Sequence, residues 1–502
     1  MSDKKEYRNI VKGTAIFGGV QVFNILITIL RGKFVALFLG PAGMGVSALM
    51  TSTVNMINNI SSLGLGMGAI RDISIANEKE NLEKLSLVAK IFRRLVFITG
   101  ILGASISIIG SKWWSNLAFG SDEYRFAFII LGAMLFFTAL ASGETALLQG
   151  TRQLKNLAKT SIIGSVSGLI VGVPMYYFWG TKGIAPAMVV LALVTYLSNR
   201  YFSRKIKLTP VMISRSDMSK YARNMIFLGV TLTFAQILGN LSTYFVNWFI
   251  RYNGSIDDVG LYQATTSITT QYVAFVFSAM AVDYYPRLAA ISNDNVAVKQ
   301  AANQQAEIVM LVAAPIILVL MATAPFVVRI LLTKEFMATV PVLRWMGFAL
   351  FFKAVSFALG YISFAKGDKK TFFWLEGVLG NILMVGCCLA GYIIWGYLGL
   401  GIAKLATYII YMLVVSIVVY LKYQFRFEKE FLKIFSILII CCGVGFVLSL
   451  TIANYLLYGI TSGVILAISC WYCFRELNNR INVVELIKTK FGLSKKIGVA
   501  QS

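Results

Sequence analysis

Histidine is absent from this 502-residue chain. That removes the commonest zinc ligand and the side chain that ordinarily relays protons near neutral pH. Proton handling would then fall to carboxylates, which are scarce: 22 Asp and Glu against 46 Lys and Arg. Cysteine is also rare, and Cys387, Cys388, Cys441, Cys442, Cys470 and Cys473 all lie inside apolar runs. Adjacent pairs cannot chelate one ion in the usual spacing, and the single C-x-x-C, Cys470 with Cys473, has no second pair. Packing is their expected role, with no metal site. No Gly-rich phosphate loop ending in Lys-Ser or Lys-Thr occurs, which argues against ATP hydrolysis.

Charge itself is thin. Only 14% of residues are charged and 58% are hydrophobic, with a mean hydropathy of +0.74. A soluble domain of this length needs far more polar surface. What the chain has instead is runs of about 20 apolar residues, each long enough to cross a bilayer. Length and breaker residues place their cores at 13–39, 44–68, 88–110, 125–148, 158–178 and 182–200. Six more follow at 222–249, 258–283, 303–328, 340–364, 371–395 and 398–421, then a final pair at 431–452 and 455–474. The expected class is an all-α integral membrane protein with about 14 transmembrane helices. The net charge of +24 then reads as basic loops on the cytoplasmic side rather than as a nucleic-acid surface, and it puts both termini in the cytoplasm.

A phrase occurs twice. Tyr176, Trp179, Gly180 and Gly183 spell Y-x-x-W-G-x-x-G, and Tyr392, Trp395, Gly396 and Gly399 repeat it 216 positions later. Gly164 falls on Gly380 at the same shift, and Gly45 and Gly260 each open an apolar helix 215 apart. Two markers at nearly one offset indicate a duplication of about six helices per half. An even number of helices makes the repeats parallel. The expected organisation is an N-terminal six-helix lobe over 1–205, a C-terminal six-helix lobe over 206–425, helices 13 and 14 over 426–475, and a basic cytoplasmic tail over 476–502. Two such lobes around a central cavity suit alternating access.

Several phrases resemble a known family. They are Arg31-Gly-Lys-Phe-Val-Ala-Leu-Phe-Leu-Gly-Pro-Ala-Gly-Met-Gly45, Gly64-Leu-Gly-Met-Gly-Ala-Ile-Arg71, Leu148-Gln-Gly-Thr-Arg152 and Tyr285-Pro-Arg-Leu288, in that order. Together they resemble the polysaccharide transporters of the multidrug/oligosaccharidyl-lipid/polysaccharide exporter superfamily, in particular bacterial O-antigen flippases. The resemblance implies a multi-pass protein of the bacterial inner membrane, not an enzyme. It implies a substrate too: an undecaprenyl-diphosphate-linked oligosaccharide carried from the cytoplasmic to the periplasmic leaflet. Membrane lipids are expected partners, with a polysaccharide polymerase and chain-length machinery beyond them. The competing readings are a cation-coupled multidrug exporter of the same superfamily and, further off, a membrane glycosyl polymerase, which would want a large outer loop with paired carboxylates.

Ionisable residues inside apolar runs are the candidate site, because each costs about 3 kcal/mol or more at mid-bilayer unless a cavity or partner receives it. Arg31, Lys33, Lys353 and Lys404 are the candidates for the substrate pyrophosphate, Arg as a planar fork and Lys as a point charge. Asn240, Tyr244 and Asn247, on one face of a helix, are candidates for the sugars and the cavity wall, although such a stripe also serves as glue between helices. Glu144, Glu307 and Glu376 are candidates for a coupling ion, H+ or Na+; each lies near enough to a helix end to reach the interface instead. No other cofactor is expected.

Overall fold

Long apolar runs interrupted by only eight prolines favour helix after helix. The structure, a computed structural model, describes residues 2–78, 81–452 and 454–481; the expected tail beyond Ile481 lies outside them. In chain order the helices are α1 (Ser2–Ser62), α2 (Leu65–Glu78), α3 (Leu82–Ile109), α4 (Ser111–Phe119), α5 (Arg125–Gly150), α6 (Leu154–Trp179) and α7 (Ile184–Ser203). Then come α8 (Arg215–Asn253), α9 (Ile256–Ala290), α10 (Asn295–Leu331), α11 (Thr339–Ala365), α12 (Lys369–Phe372), α13 (Gly380–Tyr423), α14 (Lys429–Thr451) and α15 (Tyr455–Ile481). A π-helical turn, Phe373–Leu379, joins α12 to α13. Among the described residues there is no strand, so the all-α membrane fold is as expected.

Among the described residues, eight helical stretches are long and apolar enough to cross a membrane, or nine if the bent pair α3 and α4 counts as one. Fewer are found than the fourteen expected partly because three of them run 40, 50 and 55 residues with a break inside. A single crossing needs about 20 residues. The breaks fall at glycine. In α1, Gly40 turns to φ 62° ahead of Pro41, and in α13, Gly396 turns to φ 59° and ψ −142°. Gly180, its counterpart in the repeated phrase, adopts φ 54° and ψ −135° between α6 and α7. The duplicated words thus build the same corner twice, in a backbone region that only glycine enters cheaply.

Packing groups the helices into two units, residues 1–264 with 328–338, and residues 265–327 with 339–502. In the first unit, α8 and the start of α9 join α1–α7, so this division falls later than the lobe boundary expected at 205. Glycines allow it. A side chain at Gly229 would strike the Gly64 carbonyl, and one at Gly68 the Met225 carbonyl. Farther along, a Cβ at Gly45 would strike the Ile256 carbonyl and one at Gly260 the Pro41 carbonyl. The second pair is reciprocal, since 45 and 260, and 41 and 256, are both 215 apart. A two-fold contact has this form, with each patch meeting the other's equivalent. Two cations complete the arrangement: Lys33 donates to the Ile330 carbonyl at the end of α10, and Arg251 to the Phe119 carbonyl at the end of α4. Both sit where a helix presents its unpaired carbonyls and negative dipole end.

In the second unit, α14 and α15 are fastened to α10 and α11. Phe446 lies 4.7 Å from the Trp345 ring and 5.1 Å from Phe348. Tyr458 donates to the Met321 carbonyl at 2.9 Å, and Arg480 pairs with Glu307 at 2.8 Å.

Candidate functional site

In the first unit a cavity of about 510 Å³ opens between α1, α5, α6 and α7. Among the described residues its polar lining is hydroxyl and amide, with Arg31 as the single charge and no carboxylate. Asn24 organises one wall, donating to Ser161 Oγ and accepting from Ser165 Oγ, both at 2.7 Å. Arg31 donates to Tyr176 Oη at 3.0 Å, which aims the guanidinium while leaving most of its five donors unused by that bond. Tyr176 belongs to the repeated phrase, so the corner at Gly180 also places the partner of Arg31. Lys33 is not in this cavity. Two residues on, a helical side chain has turned through roughly 200°, and it meets the end of α10 instead.

Glu144 is 3% exposed. Arg93 and Arg200 each contact its carboxylate at 2.7 Å, and Ser203 donates at 2.6 Å. The group joins α3, α5 and α7 by satisfying a buried charge from three sides. Glu307, the second coupling-ion candidate, is 6% exposed and held by Arg480.

A second cavity in this unit, about 360 Å³, lies between α1 and α8 and includes Asn240 in its lining. Tyr244 and Asn247, on the following turns of α8, are buried at 5% and 1% exposure. Tyr244 Oη and Asn247 Oδ1 have no hydrogen-bond partner among the described residues. Of the three sugar candidates, then, one lines a cavity and two are packed behind it.

The second unit brings the remaining candidates together. Lys353 of α11 and Lys404 of α13 each place Nζ 5.5 Å from the Tyr408 ring centroid. A tyrosine face shared by two ammonium groups offsets part of their mutual repulsion. One turn on from Tyr408, Tyr411 donates to Glu376, which sits in the π-helical turn. Such turns concentrate at functional positions because they push one residue out of register. Here the turn carries Glu376 Oε1 into the space that a side chain at Gly360 would fill. Among the three carboxylate candidates, Glu376 alone is not in an arginine ion pair among the described residues.

Sequence reading missed several of these residues. Arg93 and Arg200 belong to basic stretches that the cytoplasmic charge bias alone explains, yet each reaches Glu144 of α5. Asn55, Asn58, Asn59 and Ser62 line the second cavity, and their spacing of i, i+3, i+4 and i+7 was the available signal for one polar helix face.

Comparisons with known proteins agree with this architecture. The chain is 24% identical over 393 residues to the lipid III flippase of Escherichia coli (strain K12), and equally to that of Shigella flexneri, covering 76% of this chain and 91% of each relative. In fold it is similar to a multidrug resistance MATE family transporter of the MOP superfamily in an inward-facing conformation. The TM-score is 0.70 at 17% identity, over 80% of this chain and 94% of that one. It is likewise similar to a lipid II flippase in an inward closed conformation, with a TM-score of 0.69 at 16% identity, over 92% and 99%. The family model for polysaccharide biosynthesis protein matches residues 34–341. That match spans more than half of the sequence, and the chain belongs to the polysaccharide biosynthesis protein family.

Proposed function

We propose that the chain is a flippase for a lipid-linked glycan. It would move an undecaprenyl-diphosphate-linked oligosaccharide, such as an O-antigen or other surface polysaccharide repeat unit, from the cytoplasmic to the periplasmic leaflet of the bacterial inner membrane. The observation that carries this reading is the first-unit cavity: one guanidinium for an anionic diphosphate, surrounded by neutral hydroxyls and amides suited to sugars. The names of the lipid III and lipid II flippases support it. Lys353 and Lys404 would supply a second cationic station, and two six-helix lobes, 1–205 and 206–425, would alternate access to the two leaflets with both termini in the cytoplasm. Glu376 is the carboxylate best suited to a coupling H+ or Na+, because Glu144 and Glu307 already neutralise arginines. A polymerase and chain-length machinery would take the product.

The MATE neighbours favour a cation-coupled multidrug exporter as the second reading. A cavity for cationic drugs wants carboxylates, and the one in the first unit has none among the described residues. Deleting the gene in its host separates the two. Accumulation of undecaprenyl-diphosphate oligosaccharide with its sugars facing the cytoplasm, cleared by the wild-type chain, is the expected result. Normal glycolipid together with sensitivity to cationic dyes would overturn it.

A further inference from the structure

The cavity between α1 and α8 has a different chemistry from the one around Arg31. Its polar lining is Asn55, Asn58, Asn59 and Ser62 on α1 with Gln236 and Asn240 on α8. Every one of these side chains is neutral. The α1 residues share one face at i, i+3, i+4 and i+7, and the α8 pair is spaced i, i+4. Three asparagines on one turn of an apolar helix are costly unless something receives their hydrogen bonds.

Helix–helix glue is the ordinary use of such residues, but here the amides do not serve it. None of the six side chains hydrogen-bonds to another, and the helices meet instead through glycine backbone, Gly229 against Gly64 and Gly68 against Met225. The two amide faces therefore stand across about 360 Å³ of space, within the size range of small-molecule pockets. An amide offers both donors and an acceptor at one tip, matching vicinal hydroxyls or an acetamido group. With no charge of either sign in the lining among the described residues, nothing there compensates a carboxylate on the ligand or draws one in.

Resting on the flippase reading, we propose that this cavity is a subsite for an uncharged sugar of the transported glycan, one rich in hydroxyl or acetamido groups. It is separate from the cationic residues that take the diphosphate. Asn58 on α1 and Asn240 on α8 both line the subsite, together with Asn55 and Asn59.

The test uses the full chain in proteoliposomes with three fluorescent probes: a polyprenyl diphosphate without sugar, the same lipid carrying an N-acetylglucosamine disaccharide, and the same lipid carrying a disaccharide with a uronic acid. The proposal expects wild type to favour the uncharged glycolipid over the acidic one. In Asn58→Ala with Asn240→Ala, the ratio of uncharged-glycolipid to bare-lipid transport should fall about tenfold, the loss of one or two hydrogen bonds. Asn58→Asp, of the same size, should lower that ratio as well and covers the case in which the alanine variant fails to fold. If wild type moves the glycolipids and these variants leave the ratio unchanged, the subsite is wrong while the flippase reading stands. Equal preference for acidic and uncharged glycans in wild type would also overturn it. If wild type moves none of the probes, the flippase reading fails and the subsite with it.

Discussion

Replacing Gly45 with alanine puts a methyl group against the Ile256 carbonyl, well inside the 3.0 Å that real Cβ atoms respect, whereas ordinary contact begins at 3.4 Å. The obstacle is backbone, so no side chain can swing aside and the helices must separate. Forced overpacking of this kind costs roughly 1–3 kcal/mol. Alanine also removes glycine's helical penalty of about 1 kcal/mol, leaving a net destabilisation of about 1 kcal/mol. Gly260→Ala meets the Pro41 carbonyl in the same way and should cost a similar amount. Because both contacts belong to one crossing, helices parted by the first methyl leave room for the second. The double variant should then fall short of the sum by about 1 kcal/mol. Thermal unfolding can be followed with a thiol-reactive dye, since Cys388, Cys442 and Cys473 are buried thiols. Gly463→Ala in α15, where a Cβ meets nothing within 4 Å, is the control and should stabilise slightly. Strict additivity of the two variants, or a cost in only one of them, would refute the reciprocal crossing.

Three further outcomes follow from the charges. Glu144→Gln leaves Arg93 and Arg200 without their carboxylate and should lower stability by about 2 kcal/mol, less than a fully buried pair because both arginines are partly exposed; an unchanged melting temperature would count against the clamp. Arg31→Ala should abolish glycolipid transport at normal protein level, while Lys33→Ala, which loses only a helix-end contact, should retain it; equal loss in both would return Lys33 to the substrate site. At the start of α12, the Thr371 backbone amide and then its hydroxyl, with help from Tyr423 and Lys422, hold the Asp368 carboxyl well below the usual carboxylate range. A depressed carboxylate stabilises above its unfolded value of 3.8 and loses that contribution as pH falls below it. Asp368→Ala should therefore cost about 1 kcal/mol as a lost cap at neutral pH, and the difference from wild type should shrink only in strong acid.

Much of the architecture could be read from hydropathy and from one repeated phrase, because a glycine corner and the aromatic residues beside it leave a local signature. Arg31 stood out for the same reason, as a charge where charge is expensive. Less legible were relations between distant helices. Of the arginines that neutralise Glu144, Arg200 lies in the last turn of α7 and Arg93 about three turns into α3, both in basic stretches that the positive-inside rule already accounts for. The direction of Lys33 depends on helical phase, which decides between two positions only two residues apart. Asparagines at 55, 58 and 59 carry no charge to flag them, so their shared face needed a count of spacing rather than of hydropathy. The expected crossing count exceeds the apolar stretches found among the described residues partly because three of those stretches, of 40, 50 and 55 residues, have a break inside.

One consequence of the glycine at position 360 concerns the repeat. Shifted by 216, Glu144 falls on Gly360 and Thr160 on Glu376. The first repeat therefore grows its carboxylate from α5, and the second grows one from the following helix into the room that Gly360 leaves. At equivalent places along the two repeated stretches the acid is attached differently, and its partners differ with it: Glu144 is held by two arginines and Glu376 by a tyrosine. Aligned position by position, the two stretches set a glutamate against a glycine and a threonine against a glutamate, two mismatches that concern one carboxylate in space.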